Sequence, residues 1–306
     1  MKKQPSNSST FEPSASESTQ ILPLPKAKQI ALKRPTLIVG FQDSGMVGSL
    51  STNHLVEQLG MHQIAFVESP YVMPAAFFIA GKFRHPFRIY SNKSGTLCVL
   101  MCEAPTTAMG TYSIVSAILG WCADEGVKEI MVVGSITPDS YTATLQDVRR
   151  ALLLESREDG QAGSGGIFGN ITHALRRGNA DGIALPAAGL QNEPEGDSSV
   201  ITPNTAVIVG LAGALISSGV NQNLLCRCLL VPTLANIPDP EGAAILLEAL
   251  GKVIPSVQTD VSALRTQAEA IRKNIEEFVK MRQASLQEYE RQHGASGRPG
   301  TETIYK

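Results

Sequence analysis

Four acidic residues, Asp43, Glu68, Glu103 and Asp139, each fall just past the carboxyl end of a stretch that reads as a β-strand. Ligands of α/β sheets gather at that edge, so such carboxylates could act as an acid and base pair or hold a divalent cation. Helix capping and solvated turns account for the same positions. The run from Gly40 to Gly48 has the outline of a phosphate loop, but Met46 and Val47 stand where the phosphate-binding lysine and the magnesium-binding hydroxyl belong. It also lacks the first glycine of a dinucleotide fingerprint, because Asp43 occupies that place and would repel a pyrophosphate. Gly45 and Gly48 are therefore expected to serve a tight strand-to-helix turn and close helix packing. Asp43, Ser44, Gly45, Gly48, Glu68 and Glu103 remain the candidate ligand or turn site. The five histidines, His54, His62, His85, His173 and His293, show no metal-ligand spacing, and neither Ser44 nor Ser135 lies in a nucleophile elbow. No catalytic group, metal or cofactor is expected.

A second kind of chemistry ends the sequence, in Ile304-Tyr305-Lys306. An aromatic with a phenol tip beside an apolar neighbour suits insertion into a socket, and a terminal carboxylate can pair with a lysine in its wall. With 43% hydrophobic residues and 6 tyrosines in 306, a random end reads hydrophobic-Tyr-any about 0.8% of the time.

The elements that must position these residues follow from periodicity. Residues 36–40 read as a buried strand, and Asp43-Ser44 then caps a helical pattern that stops at Gly60. Strand-like runs follow at 63–68, 75–80, 87–91 and 96–103, the middle pair joined through Gly81-Lys82 and the last two through Asn92-Lys-Ser-Gly95, which implies an antiparallel stretch. A helix is expected over 109–125, a buried strand over 129–133, a helix near 203–218 and a strand over 224–230. A last helix opens at Pro238-Asp239-Pro240 with Asp239 as cap and Pro240 in the first turn. The sum is a three-layer α/β domain with a mixed sheet, spanning 35–255.

Around it, residues 1–34 are rich in serine with little to bury and are expected to be a disordered tail. The stretches 160–169 and 191–199 read as surface loops. Residues 256–293 are expected to form a C-terminal helix, with Val261, Leu264, Ala268, Ile271, Ile275 and Phe278 as its apolar seam. Residues 294–306 then form a flexible tail carrying the docking motif, and its ten-residue linker spans roughly 17–19 Å.

Composition narrows the partners. A formal net charge of -2, with basic residues gathered only in short pairs such as Arg149-Arg150 and Arg176-Arg177, argues against nucleic acid. The five cysteines are odd in number and lack a C-x-x-C pair, so core packing in a reducing cytoplasm fits them. No run approaches the roughly 20 apolar residues that span a bilayer, and no amino-terminal signal is read. A cytoplasmic location away from membranes is expected.

Leu37-Ile-Val-Gly-Phe-Gln-Asp-Ser-Gly-Met-Val-Gly-Ser49 resembles the opening strand and turn of the proteasome assembly chaperone 2 family. In order along the chain, Pro86–Tyr90, Gly126–Ile130, Ile208–Gly213 and Ile237–Ala244 resemble its later strand and helix entries, and the likeness covers about residues 35–255. The resemblance implies a phosphorylase-like topology and no established catalytic site. It implies a proteasome assembly chaperone or proteasome-binding adaptor, often homo-oligomeric, with the 20S proteasome α subunits as partner. Some members end in a hydrophobic-tyrosine-any signature that docks between those subunits, and Ile304, Tyr305 and Lys306 match it residue for residue. The alternative is an ATP-grasp-like or phosphorylase-like enzyme processing a nucleotide or nucleoside with the acidic residues of the sheet's carboxyl edge.

Overall fold

The computed structural model describes residues 18–24, 30–79, 81–142, 149–155, 200–233, 237–273, 277, 280 and 281. Its strands are β1 (Gln20–Pro23), β2 (Thr36–Gly40), β3 (His62–Glu68), β4 (Phe77–Ile79), β5 (Lys82–Arg84), β6 (Phe87–Ser91) and β7 (Leu97–Cys102). They continue with β8 (Glu129–Ile136), β9 (Tyr141–Thr142), β10 (Ala151–Glu155), β11 (Val200–Ile201), β12 (Thr205–Ala206) and β13 (Leu225–Pro232). The helices are α1 (Val47–Gln58), α2 (Thr111–Asp124), α3 (Gly210–Asn221) and α4 (Pro240–Val253), and a tail helix is described over 262–273.

Among the described residues, nine strands form one mixed sheet in the order β1-β3-β6-β7-β2-β8-β13-β10-β11. The neighbours β7, β2, β8 and β13 run parallel, and the flanks from β1 to β7 and at β10 are antiparallel. Strict alternation along the central strands feeds two cores. Leu37, Val39, Leu100 and Val132 face the layer of α2 and α3, whereas Ile38, Val99, Met131 and Val133 face α1 and α4. Strands covered on both faces need apolar residues at every position, which is why β2 and β7 read as unbroken hydrophobic runs. Glu129 pins the register at the amino end of the sheet, accepting from Thr36 Oγ1 at 2.7 Å and from Arg227 Nη2 at 2.5 Å. The three-layer α/β architecture with a mixed sheet is thus present, and no helix among the described residues is long and apolar enough to cross a membrane.

Several local expectations need correction. Within 1–34, Gln20–Pro23 is a sheet strand because Ile21 joins the core and Thr19 bonds to Ser69 and Ser113. The run at 75–80 does not pair with β6. Instead β4 pairs with β5 as a separate hairpin whose Phe78 and Phe83 are 65% and 78% exposed and pack with ring centroids 5.0 Å apart, while β3 takes the place beside β6. The helix expected from 203 starts at Gly210, because the β-branched run Val207-Ile208-Val209 follows β12 in extended conformation and Val207 N–H donates to Ser140 O. The final helix starts at 262 rather than 256, after a 3-10 turn at Pro255–Val257, and Asp260 accepts from the Ser262 N–H at 2.9 Å. Val261 and Leu264 of its seam are buried against the domain, and Ala268 and Ile271 are half-buried. Ile275, Phe278, residues 1–17, the expected loops at 160–169 and 191–199, and the tail with Ile304, Tyr305 and Lys306 lie outside the described residues.

Candidate functional site

The turn from β2 into α1 is built around one carboxylate. Asp43 accepts from the backbone N–H groups of Val47 at 2.9 Å, Gly48 at 3.0 Å and Ser135 at 2.8 Å. It therefore caps α1 and clamps the turn to the end of β8. Burial pushes its pKa up, against the lowering effect of those donors. Met46, the residue before the helix, takes a left-handed φ of 54°, which lets the chain reverse over the carboxylate. Gly48 is required by contact: a Cβ there would lie 2.6 Å from Phe41 O and 2.9 Å from Val133 O. Gly45 lies beneath the Thr233 side chain, 2.8 Å from where its own Cβ would stand.

A second carboxylate fixes the neighbouring turn. Asp239 caps α4 through Gly242 N–H at 2.8 Å, accepts from Thr233 Oγ1 at 2.7 Å, and receives both Nη groups of Arg149, while its own N–H donates to Gly45 O at 2.9 Å. Burial raises its pKa, but the bonds from Arg149, Thr233 and Gly242 outweigh that and hold it below the usual carboxylate range. A lowered folded pKa means that this carboxylate contributes stability above its unfolded pKa, and the contribution disappears as pH falls through the lowered folded value. Asp239→Asn is therefore expected to be less stable than the wild type at neutral pH, with the gap in denaturant midpoint closing below the ordinary carboxylate range; a gap that is constant with pH contradicts this role.

The remaining acidic candidates are not brought to the same place. Glu103 alternates to the opposite face of the sheet from Cys102, where it forms an ion pair with the buried Arg88 and accepts from Asn53 Nδ2 at 2.7 Å. Glu68 ends β3 exposed, with its charge near His85. Asp139 sits in the short turn after β8. Asp43 and Ser44 do line a cavity of about 540 Å³ at the carboxyl ends of β2 and β8, which Glu68 and Glu103 do not reach. No group of three or more His, Cys, Asp or Glu side chains among the described residues is placed to hold a metal ion. All five cysteines are free and buried, and burial pushes Cys98, Cys102 and Cys122 up to about 12, so their thiols stay protonated and serve as packing.

Arg88, Arg149, Thr233 and the Ser135 backbone were not anticipated. An arginine at a core-facing position inside the apolar strand 87–91 was the available signal for the first, since such a charge demands a buried partner. Arg149 stands out in the sequence only as half of a short basic pair.

The root of the tail helix is also held. His54 Nε2 lies 2.7 Å from Asp260 O, joining α1 to the segment that starts the helix, and Arg265 pairs with Glu248 at 2.9 Å.

Fold and edge together define a three-layer α/β protein whose adjoining turns are locked by two capping carboxylates. The chain belongs to the PAC2 family, which it matches over residues 37–279. It is 22% identical over 268 residues to an uncharacterized protein of Methanocaldococcus jannaschii, covering 86% of this chain and 94% of that one. Its fold is similar to that of Pyrococcus furiosus PbaA, an archaeal homolog of proteasome-assembly chaperone, with a TM-score of 0.62 at 16% identity over 91% of this chain and 98% of that one. It is similar as well to Pyrococcus furiosus PbaB, an archaeal proteasome activator, with a TM-score of 0.60 at 20% identity over 86% and 99%.

Proposed function

We propose that this chain is a non-enzymatic proteasome assembly chaperone or proteasome-binding adaptor that docks Ile304, Tyr305 and Lys306 into pockets between α subunits of the 20S core particle. The observation that carries the reading is the PAC2 family match across the domain. PbaA and PbaB, which share the fold, support it through the proteasome roles their names state. Tyr305 enters as the aromatic anchor, Ile304 packs beside it, and the Lys306 carboxylate makes a charge-assisted bond to a pocket lysine.

The domain's part is to present the tail. Burial of Val261 and Leu264 and the His54 contact fix where the tail helix leaves the body, which supports delivery of the motif from a defined point. A homo-oligomer would present several tails at once, and the exposed Phe78 and Phe83 support self-association. Avidity then raises affinity on the order of 10²-fold over a single tail, provided the spacing fits the ring. Sedimentation of the full chain with purified 20S core particle tests the reading. The chain is expected to move with the particle; a chain that stays at the top of the gradient at micromolar concentration contradicts it.

A further inference from the structure

The cavity beside Asp43 lies where neighbouring parallel strands send their connections to opposite faces of the sheet. β2 leads into α1 on one face, whereas the chain leaving β8 turns to the other, where Ile136 and Tyr141 join the layer of α2 and α3. Connections that part in this way leave a crevice at the carboxyl ends of the strands, the place where open α/β sheets take their ligands. Here the crevice is flanked by the residues before α3 and by the loop after β7, which bound a space of about 540 Å³. That size is within the range of small-molecule sites.

The lining specifies what fits. Phe41, Ile136, Ile208, Leu211 and Leu230 make an apolar body, large enough for a ring or a short hydrocarbon. The polar lining is Asp43, with Ser44 beside it and the Ser135 hydroxyl bonded to it, together with Gln42, Thr106, Thr137 and Ser140. None of the described lining residues is Lys, Arg or His. The backbone N–H groups of Val47, Gly48 and Ser135, the donors an anion would need, already point at the Asp43 carboxylate. An anionic ligand would meet the Asp43 carboxylate with those donors already engaged. Asp43 Oδ1 accepts from Val47 N–H, whereas Oδ2 takes both Gly48 and Ser135, so Oδ1 has a lone pair for a ligand that carries its own donor.

We propose that this cavity is a binding site for a small, non-anionic molecule with an apolar body and an N–H or O–H donor head received at the Asp43 corner. The proposal makes no use of the tail motif and does not depend on the proteasome reading. Occupancy would brace the β2 turn, the β8 turn and the start of α3 against one another, since the ligand touches all three.

Benzamide and benzoate form a near-isosteric pair that isolates head-group charge and donors. In saturation-transfer NMR titrations of the full chain, benzamide is expected to bind with a millimolar dissociation constant and benzoate at least about ten-fold more weakly. Val207 is 64% exposed at the cavity mouth, so Val207→Trp is expected to cover the entrance and weaken benzamide about ten-fold or more while leaving the melting temperature unchanged. Val209→Trp, on the same rim, repeats the test if the first substitution disturbs the fold. Equal binding of the two probes, benzamide binding that survives a folded rim variant, or no benzamide signal at roughly 10 mM each overturns the proposal.

Discussion

Glu103→Ala is expected to lower the melting temperature by roughly 6–20 °C, a loss of about 3–5 kcal/mol. Arg88 lies on β6 with only 1% of its side chain exposed, and Glu103 is the only carboxylate described against it. Its Nε and Nη1 already lack protein partners, so the ion pair carries most of the compensation for a buried charge. Removing Glu103 also takes an acceptor from Asn53, though Asn53 keeps its bond to Ser49 O. Replacing the whole pair, as Arg88→Met with Glu103→Leu, exchanges charges for apolar groups of similar length and is expected to recover most of the loss. Thermal unfolding followed by circular dichroism measures both. A single-variant loss under about 1 kcal/mol, or a double variant no better than the single, contradicts the assignment of Glu103 as a structural partner and reopens it as a free carboxylate.

The second large effect concerns the tail. Tyr305→Ala is expected to weaken binding to the 20S core particle by about 30-fold for a single tail, and further when several tails engage together. Truncating an aromatic anchor removes its buried area and leaves its socket unfilled, which is the loss typical of an interface hot spot. Tyr305→Phe keeps the ring and loses the phenol bond, so about five-fold is expected. Lys306→Ala keeps the terminal carboxylate and should stay within about three-fold of the wild type. Surface-plasmon measurements on immobilised core particle rank the three. A Lys306→Ala variant that falls as far as Tyr305→Ala assigns the recognition to the lysine side chain and contradicts the carboxylate mechanism.

What could be read from the sequence divides along the range of the interactions. The β2-α1 unit was legible because its signals are local: an apolar run, Asp43, two close glycines and a stop at Gly60, whose φ is 54°. The opening of α4 was legible for the same reason, with Asp239 and Pro240 adjacent and the cap bond closing within four residues. The antiparallel pairing of β6 with β7 across the short turn at 92–95 was legible too, but the pairings made at longer range were not. The hairpin at 77–84 and the edge strand at 20–23 depend on which surfaces remain uncovered once the sheet has formed, and no local pattern encodes that. The carboxylates show the same division. Asp43 as a helix cap followed from neighbours four and five positions away, but its clamp on Ser135 spans 92 positions and the Arg149–Asp239 pair spans 90. Glu103 was grouped with Asp43 because both follow strands; period-two alternation sends its side chain to the α1 face and out of the cavity.

The central claim is that the last three residues bind the 20S core particle, and the most direct measurement compares the full chain with one lacking Ile304–Lys306 in equilibrium binding to purified core particle. Both should show the same melting temperature, because the deletion lies beyond the packed root of the tail helix at Val261 and Leu264. The account predicts that the truncated chain binds on the order of 10²-fold more weakly or not at all. A truncated chain that binds with the dissociation constant of the full one contradicts it.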